Sequence, residues 1–326
     1  MKYDRRTVLA ALCSTAAVAA LPKLAQAQSF PTKPIQLIVP LPPGGSNDVL
    51  ARLLGQKMSE AFGQPVVVEN RPGAAGNIAT NHLAKSEADG YTIAIAPNQT
   101  VAVNPVLYPD LPFDVLKDLQ GVSMLGRVPI VLVVPPSVSA NSVSELIALS
   151  KSKAKELTYA SAGSGSPQHM AAEVFQSMTG TKLTHIPYKG SAPALIDVLA
   201  GRVDVMFCPI NSALPHIRSG KLRALGTTGL KRVALLPDVP TIAETVPGFE
   251  SDIWIGMVAP AKTPPAVISK LNAELRRALA LPDVREKLAE QGILAESSTA
   301  ADFNNLIASD QKRWAGVIKA AKIKPQ

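Results

Sequence analysis

Cysteine is almost missing from this 326-residue chain, with only Cys13 and Cys208 present. Once an N-terminal leader containing Cys13 is removed, Cys208 stands alone, so no intramolecular disulfide can form and stability must come from the core. Metal spacing is also missing: His82, His169, His185 and His216 show no H-E-x-x-H or comparable arrangement. No loop carries G-x-x-x-x-G-K-[ST], and Gly163-Ser-Gly165 has Gln168 where a dinucleotide fingerprint needs its third glycine. No serine lies in a G-x-S-x-G elbow. Together these absences predict no cofactor, no metal and no enzyme activity. Beyond the leader no apolar run is long enough to span a bilayer.

What is present is an N-terminal export pattern. Lys2, Arg5 and Arg6 precede an apolar run from Val8 to Leu21, and Ala25-Gln-Ala27 supplies a small-x-small cleavage site. Pro22 and Lys23 end the run short of the ~20 residues a spanning helix needs. Residues 1–27 are therefore read as a signal peptide. Arg5-Arg6 leaves the Sec and twin-arginine routes both open, and a periplasmic destination follows. The formal charge of +8 includes +3 from the leader, leaving +5 scattered over the mature chain. That is a mild bias towards anions, with no basic stripe of the kind nucleic acid requires.

With 47% hydrophobic residues the chain can bury a large core and fill two lobes. Short β-branched runs alternate with amphipathic helical patterns. Ile35–Val39, Pro65–Glu69 and Tyr91–Ala96 read as strands, and Asp48–Phe62 and 77–86 as helices. A second series has strands at Ile130–Val134, Leu157–Ala160, Thr184–Ile186, Val203–Phe207 and Arg223–Gly226, with a helix at Pro167–Met178 and a capping box at Ser142-Val-Ser-Glu145. After a Pro-rich connection, strand Ile253–Val258 and helices near 265–279, 282–291 and 300–320 complete the pattern. The expected class is α/β: two lobes, each a mainly parallel sheet flanked by helices. Lobe 1 is assigned to 28–128 and 249–326, and lobe 2 to 129–248.

Two loops stand out. Val39-Pro-Leu-Pro-Pro-Gly-Gly-Ser-Asn-Asp48 and Tyr159-Ala-Ser-Ala-Gly-Ser-Gly-Ser-Pro-Gln168 each carry a strand into a helix, one in each lobe. Glycine allows close backbone approach, and a helix start offers unpaired N–H groups with a partial charge of about +0.5. Such a turn cradles a carboxylate or phosphate, although either loop alone is equally an ordinary crossover turn. Candidate ligand contacts are Pro43, Gly44, Gly45, Ser46 and Asn47 in the first loop, and Ser161, Gly163, Ser164, Gly165 and Ser166 in the second. Asn98 ends a neighbouring strand. His169 follows the second cradle and reads either as a ligand contact or as a helix histidine. In Pro187-Tyr-Lys-Gly-Ser191, Lys189 and Gly190 are candidates, with surface-turn roles the alternative. Cys208, in the apolar run Val203–Pro209, reads most simply as a buried, inert thiol.

Several motifs in series resemble those of the periplasmic solute-binding subunits of tripartite tricarboxylate transporters, the Bordetella uptake gene family. They include Pro31-Thr-Lys-Pro34, Pro-Pro-Gly-Gly-Ser-Asn-Asp48, Val68-Glu-Asn-Arg-Pro-Gly73, Asp89-Gly-Tyr-Thr92, Leu214-Pro-His-Ile-Arg-Ser-Gly-Lys221 and Leu236-Pro-Asp-Val-Pro-Thr241. The resemblance implies a type II periplasmic binding fold with two interlobe crossings and a carboxylate pinched between the two Gly-rich loops. It implies a monomer that serves a two-subunit inner-membrane permease, with a sensory partner of a receptor kinase and a periplasmic hydrolase as the rival readings. Relatives often carry Phe-Asp where this chain has Phe207-Cys208. That departure adds Cys208 to the candidate site and weighs against amino-acid ligands.

Overall fold

The computed structural model describes residues 30–152 and 156–325. The leader, its cleavage site and Cys13 lie outside the described residues. Ile35, Leu37, Ile38 and Val39 are all fully buried, and a continuous apolar run of this kind forms an interior strand, β1 (Ile35–Val39). Helix α1 (Ser46–Phe62) buries Leu50, Ala51, Leu54 and Met58 along one face and ends on Gly63 in the left-handed region. Strand β2 (Val66–Asn70), α2 (Asn77–Ala84) and β3 (Thr92–Pro97) repeat the unit. A wide helical turn at Gln99–Val103 runs into α3 (Asn104–Leu107), and α4 (Val115–Asp118) leads to the ten-residue β4 (Leu119–Val128).

At Pro129 the chain leaves this sheet for a second one. There β5 (Ile130–Val134), α5 (Val143–Lys151), β6 (Leu157–Ser161), α6 (Pro167–Thr179), β7 (Leu183–Pro187), α7 (Ser191–Leu199), β8 (Val205–Pro209), α8 (Ile210–Arg218) and β9 (Arg223–Thr227) follow in order. The chain returns through Thr228 to Asp252 and finishes with β10 (Ile253–Pro260), α9 (Pro265–Ala280), α10 (Pro282–Glu290), β11 (Leu294–Ala295) and α11 (Ala300–Ala321). Among the described residues no helix is long and apolar enough to cross a membrane.

The α/β class and the two-lobed arrangement are as expected. The sheets, however, are mixed rather than mainly parallel. The first has the order β11-β4-β10-β3-β1-β2, and β10 runs antiparallel to both neighbours. The second, β7-β6-β8-β5-β9, is parallel only across β7, β6 and β8. Strands that arrive directly from the other lobe need no crossover helix, so they can pair antiparallel. Strand β4 was not foreseen. It is buried on both faces and interrupted by Gly121 and Gly126, so neither alternation nor β-propensity marks it. Helix α8 was also missed, because Pro209 and Pro215 flank and interrupt its pattern.

Both crossings are stitched at one place. Thr228 N–H donates to Ile130 O (2.9 Å), Ser251 N–H to Thr228 O (3.2 Å), and the Thr228 hydroxyl to Asp252 Oδ1 (2.6 Å). The last helix clamps the first lobe from outside. The indoles of Trp254 and Trp314 both donate to Asp310 Oδ2, at 2.8 and 3.1 Å, and Phe303 presses its ring onto β10 where only Gly256 leaves room. A Cβ at Gly256 would lie 1.9 Å from the Phe303 ring. Gly256→Ala is therefore expected to destabilise the protein by about 1–3 kcal/mol through overpacking. In urea unfolding, Gly256→Ala combined with Phe303→Leu should lose less stability than the two single losses added. Strict additivity would show that the ring is not the obstacle.

Candidate functional site

The first lobe presents the start of α1. Its approach is fixed by Asn70 at the end of β2, whose Nδ2 donates to Leu41 O and to Asp48 Oδ1, both at 3.1 Å. Asp48 also accepts Gly44 N–H (3.0 Å) and Arg52 Nε–H (3.0 Å). Burial alone would raise the Asp48 carboxyl, but these hydrogen bonds outweigh it and hold the group below the ordinary carboxylate range. Gly44 needs its positive φ of 88° for this turn, whereas Gly45, the N-cap, is extended at φ −85°. Beside it, Asn98 and Gln99 open the helical turn after β3.

The second lobe presents three more helix starts. At α6, Ser166 caps the His169 N–H (3.4 Å) and Pro167 occupies the first position. At α7 the first residue is Ser191, to which Gln168 Nε2 donates at 2.6 Å. At α8, Pro209 precedes Ile210, Asn211 and Ser212. A stack of rings lies beneath this edge. His169 lies 4.1 Å from His185, which lies 4.7 Å from Tyr159, with the planes nearly parallel. His169 Nδ1 accepts Gly165 N–H (3.0 Å), which puts its proton on Nε2, 3.7 Å from Glu173 Oε1. His185 Nε2 shares a 2.6 Å hydrogen bond with the Ser161 hydroxyl, and Tyr159 donates to Glu173 (2.7 Å). Burial drives both imidazoles towards the neutral form, lowering His169 to about 3 and His185 to about 4.

Between the lobes lies a cleft of about 310 Å³. Gly45, Ser46, Asn47, Asn98 and Gln99 line it from the first lobe, and Ser166, Pro167, Gln168, Ser191, Asn211 and Ser212 from the second. Val128, Ile253 and Ile255 form an apolar wall at the crossings, with Leu41, Pro97 and Pro209 beside it. Among the described residues, none that lines it has an ionisable side chain. The helix starts that face it each carry a partial charge of about +0.5, with the ionised Asp48 and its partner Arg52 behind the α1 start. Such a cleft suits an anion held by backbone N–H groups and hydroxyls.

Of the residues singled out from the sequence, the structure brings Gly45, Ser46, Asn47, Asn98 and Ser166 to the cleft. Pro43 and Gly44 stay exposed outside it, and the Gly44 amide is taken by Asp48. Gly163 and Gly165 shape the second turn with positive φ, and the Gly165 amide is taken by His169. Ser161 is fully buried and Ser164 lies off the lining. His169 is a support under the loop rather than a cleft contact, because its ring faces His185. Lys189 is exposed and Gly190 caps α7, so the cleft receives Ser191 instead. Cys208 is packed in the second-lobe core with Val131, Ala160 and Met206, and burial pushes its thiol up to about 12. No described residue lining the cleft is acidic, and Cys208 is not among those that line it. The sequence reading missed Gln168, Asn211 and Ser212. Gln168 ends the second Gly-rich loop and was passed over there, whereas the unrecognised α8 hid the other two.

Residues 50–323 match the model of a family described as the tripartite tricarboxylate transporter family receptor. Protein BugT of Bordetella pertussis is 42% identical over 321 residues, covering 97% of this chain and 98% of the relative. Among solved structures, R. palustris Rpa4515 with adipate is 36% identical with a TM-score of 0.80, over 91% of this chain and all of that one. MatC (Rpa3494) of Rhodopseudomonas palustris, with bound malate, is 32% identical with a TM-score of 0.75, over 89% and 100%.

The histidine stack gives the loop a measurable pH signature. A histidine whose folded value lies below its unfolded value of ~6.5 takes up protons preferentially in the unfolded chain. The stability it supports is complete above about pH 6.5 and falls as pH drops towards the folded value. His169→Gln should be less stable than the parent at pH 7, and that deficit should shrink by about 1–2 kcal/mol at pH 5 in urea titrations. An equal deficit at both pH values would contradict a neutral, buried His169.

Proposed function

The chain belongs to the tripartite tricarboxylate transporter receptor family, and on that premise we propose that it captures a small organic carboxylate in the periplasm and hands it to a two-subunit membrane permease. The observation that carries this reading is the convergence of the α1, α6, α7 and α8 N-termini on a cleft lined by no ionisable side chain. Fixed dipoles of that sign favour a carboxylate. The carboxylates bound by the two solved relatives support the same chemistry. The leader at residues 1–27 and the lobes at 28–128 with 249–326 and at 129–248 belong to the proposal, with the stitched crossings acting as the hinge.

Capture is a population shift: contacts to both lobes exist only when the cleft is closed, so the ligand stabilises the closed form by its affinity difference between the two forms. Binding rather than turnover is favoured by Ser161 and His185, whose hydrogen-bonded pair would otherwise suggest a nucleophile and base. Ser161 is fully buried and holds the loop instead.

Thermal shift with a carboxylate panel, on protein stripped of ligand, tests the reading. A ligand at 100 times its Kd adds about 2.7 kcal/mol. Gly45→Asp isolates the charge effect, because a Cβ there meets nothing within 4 Å and the backbone is not left-handed. The variant should keep the melting temperature of the empty protein and lose its response to carboxylates. A retained response would remove the α1 start from the binding site.

A further inference from the structure

Neighbouring residues of the two crossings face opposite ways. Val128 and Ile253 line the ligand cleft, whereas Arg127, Pro129 and Asp252 line a second pocket of about 400 Å³ behind it, together with Lys231, Glu250 and Glu296. Asp252 is thus one strand away from the cleft, and its backbone carbonyl accepts from Nδ2 of the cleft residue Asn98 at 3.3 Å. Its carboxylate has no ion-pair partner among the described residues. Arg127, from β4, is taken by Glu296 after β11 (2.9 Å) and by Glu250 of the return segment (3.6 Å). Lys231, in the turn after β9, is exposed, and Arg313 of α11 ends on the Glu250 carbonyl (3.0 Å). Burial pushes the Asp252 carboxyl up to about 6, against the Thr228 hydrogen bond and the charge of Arg127, with Glu250 adding to the rise.

The bonds around Asp252 can accommodate a proton without breaking the crossings. Thr228 Oγ1 accepts Ile130 N–H (3.2 Å) and lies 2.6 Å from Asp252 Oδ1 and 3.1 Å from Ile130 O. With Asp252 ionised, the Thr228 hydroxyl donates to the carboxylate. With Asp252 protonated, the carboxyl donates to Thr228 Oγ1, and the hydroxyl turns its own proton to Ile130 O. Each of these groups keeps a partner in either state. We infer that capture is proton-coupled: an anion entering the cleft draws a proton from solvent onto Asp252, so affinity rises as pH falls. A carboxylate in the cleft repels ionised Asp252 across one strand and leaves the protonated form unopposed. The ligand-bound protein therefore holds more protons than the empty one, and by linkage acid favours binding. The gain is absent above about pH 8, grows as pH falls through the titration of Asp252 and levels off below it. His169 and His185 stay neutral throughout this range and add nothing. The inference rests on the carboxylate-capture reading above and adds a regulation to that same site.

The test is calorimetric titration of ligand-stripped protein with succinate, adipate, benzoate and citrate at pH 5.5, 6.5 and 7.5, in two buffers of different ionisation enthalpy. If the anion raises Asp252 by about one unit, binding at pH 6.5 takes up roughly half a proton more in the parent than in Asp252→Asn, a difference from which the acid's own titration cancels. Asp252→Asn keeps an acceptor for the Thr228 hydroxyl but cannot ionise. It should bind roughly threefold to tenfold more tightly than the parent at pH 7.5 and about equally at pH 5.5, a gain that structural damage would not produce. Circular dichroism and melting show whether the variant is folded. If it is not, the parent alone decides, because a cleft that favours the ionised acid makes the acid release protons, and net uptake then comes from the protein. Equal affinity and equal proton uptake in parent and variant overturn the inference while leaving carboxylate capture standing. Weaker binding by Asp252→Asn at every pH makes Asp252 a structural tie and overturns it as well. Failure of all four acids to bind overturns the inference, and the wider carboxylate panel then decides separately whether capture itself fails.

Discussion

The molecule depends on one constraint: the carboxyl edges of two sheets face each other across a pair of tightly bonded crossings. A parallel strand followed by a returning helix always leaves the helix N-terminus at the strand's carboxyl edge. Strand β1 delivers α1 in this way, and β6, β7 and β8 deliver α6, α7 and α8. Opposing the two edges therefore gathers four helix starts, and with them unpaired N–H groups, around a shared space. The crossings at Pro129 and at Thr228 to Asp252, joined by the Thr228 bonds, hold the edges in register.

A site built from helix dipoles behaves differently from one built on lysine or arginine. The dipoles are fixed by the fold, so no long side chain must be ordered when the ligand arrives. No cross-cleft ion pair can form among the described residues that line the cleft. Two arginines of the first lobe are already paired. Arg52 is bound to Asp48, and Arg71 pairs with Glu69 rather than reaching for an anion. The Gly-rich loops have a divided role: the Gly44 and Gly165 amides go to Asp48 and His169, which set the turns, while the following residues line the cleft.

Much of this was legible in the sequence because the signals are local. Buried β-branched runs located β1 and β5, one-sided apolar patterning located α1, and the Ser166-Pro167 pair marked the α6 start. Ser142 accepts from Glu145 N–H as the capping pattern required, although the Glu145 carboxylate returns to Asn141 N–H rather than to Ser142. What escaped was set by tertiary context. Strand β4 owes its existence to β10 and β11 on either side, not to its own composition. Whether Cys208 or Pro209 meets the cleft depends on which face of β8 packs inward. His169 and His185 lie sixteen positions apart in the chain, and only the pairing of β6 with β7 stacks them beside Tyr159.

The central claim is that helix starts from both lobes hold the ligand's carboxylate. Backbone amide NMR of the deuterated protein, titrated with a carboxylate that raises its melting temperature, tests it most directly. Amide resonances at Ser46 and Asn47 in the first lobe and at Gln168 and Ser191 in the second should shift together along one binding curve. Shifts confined to one lobe, or centred away from these helix starts, would contradict the account.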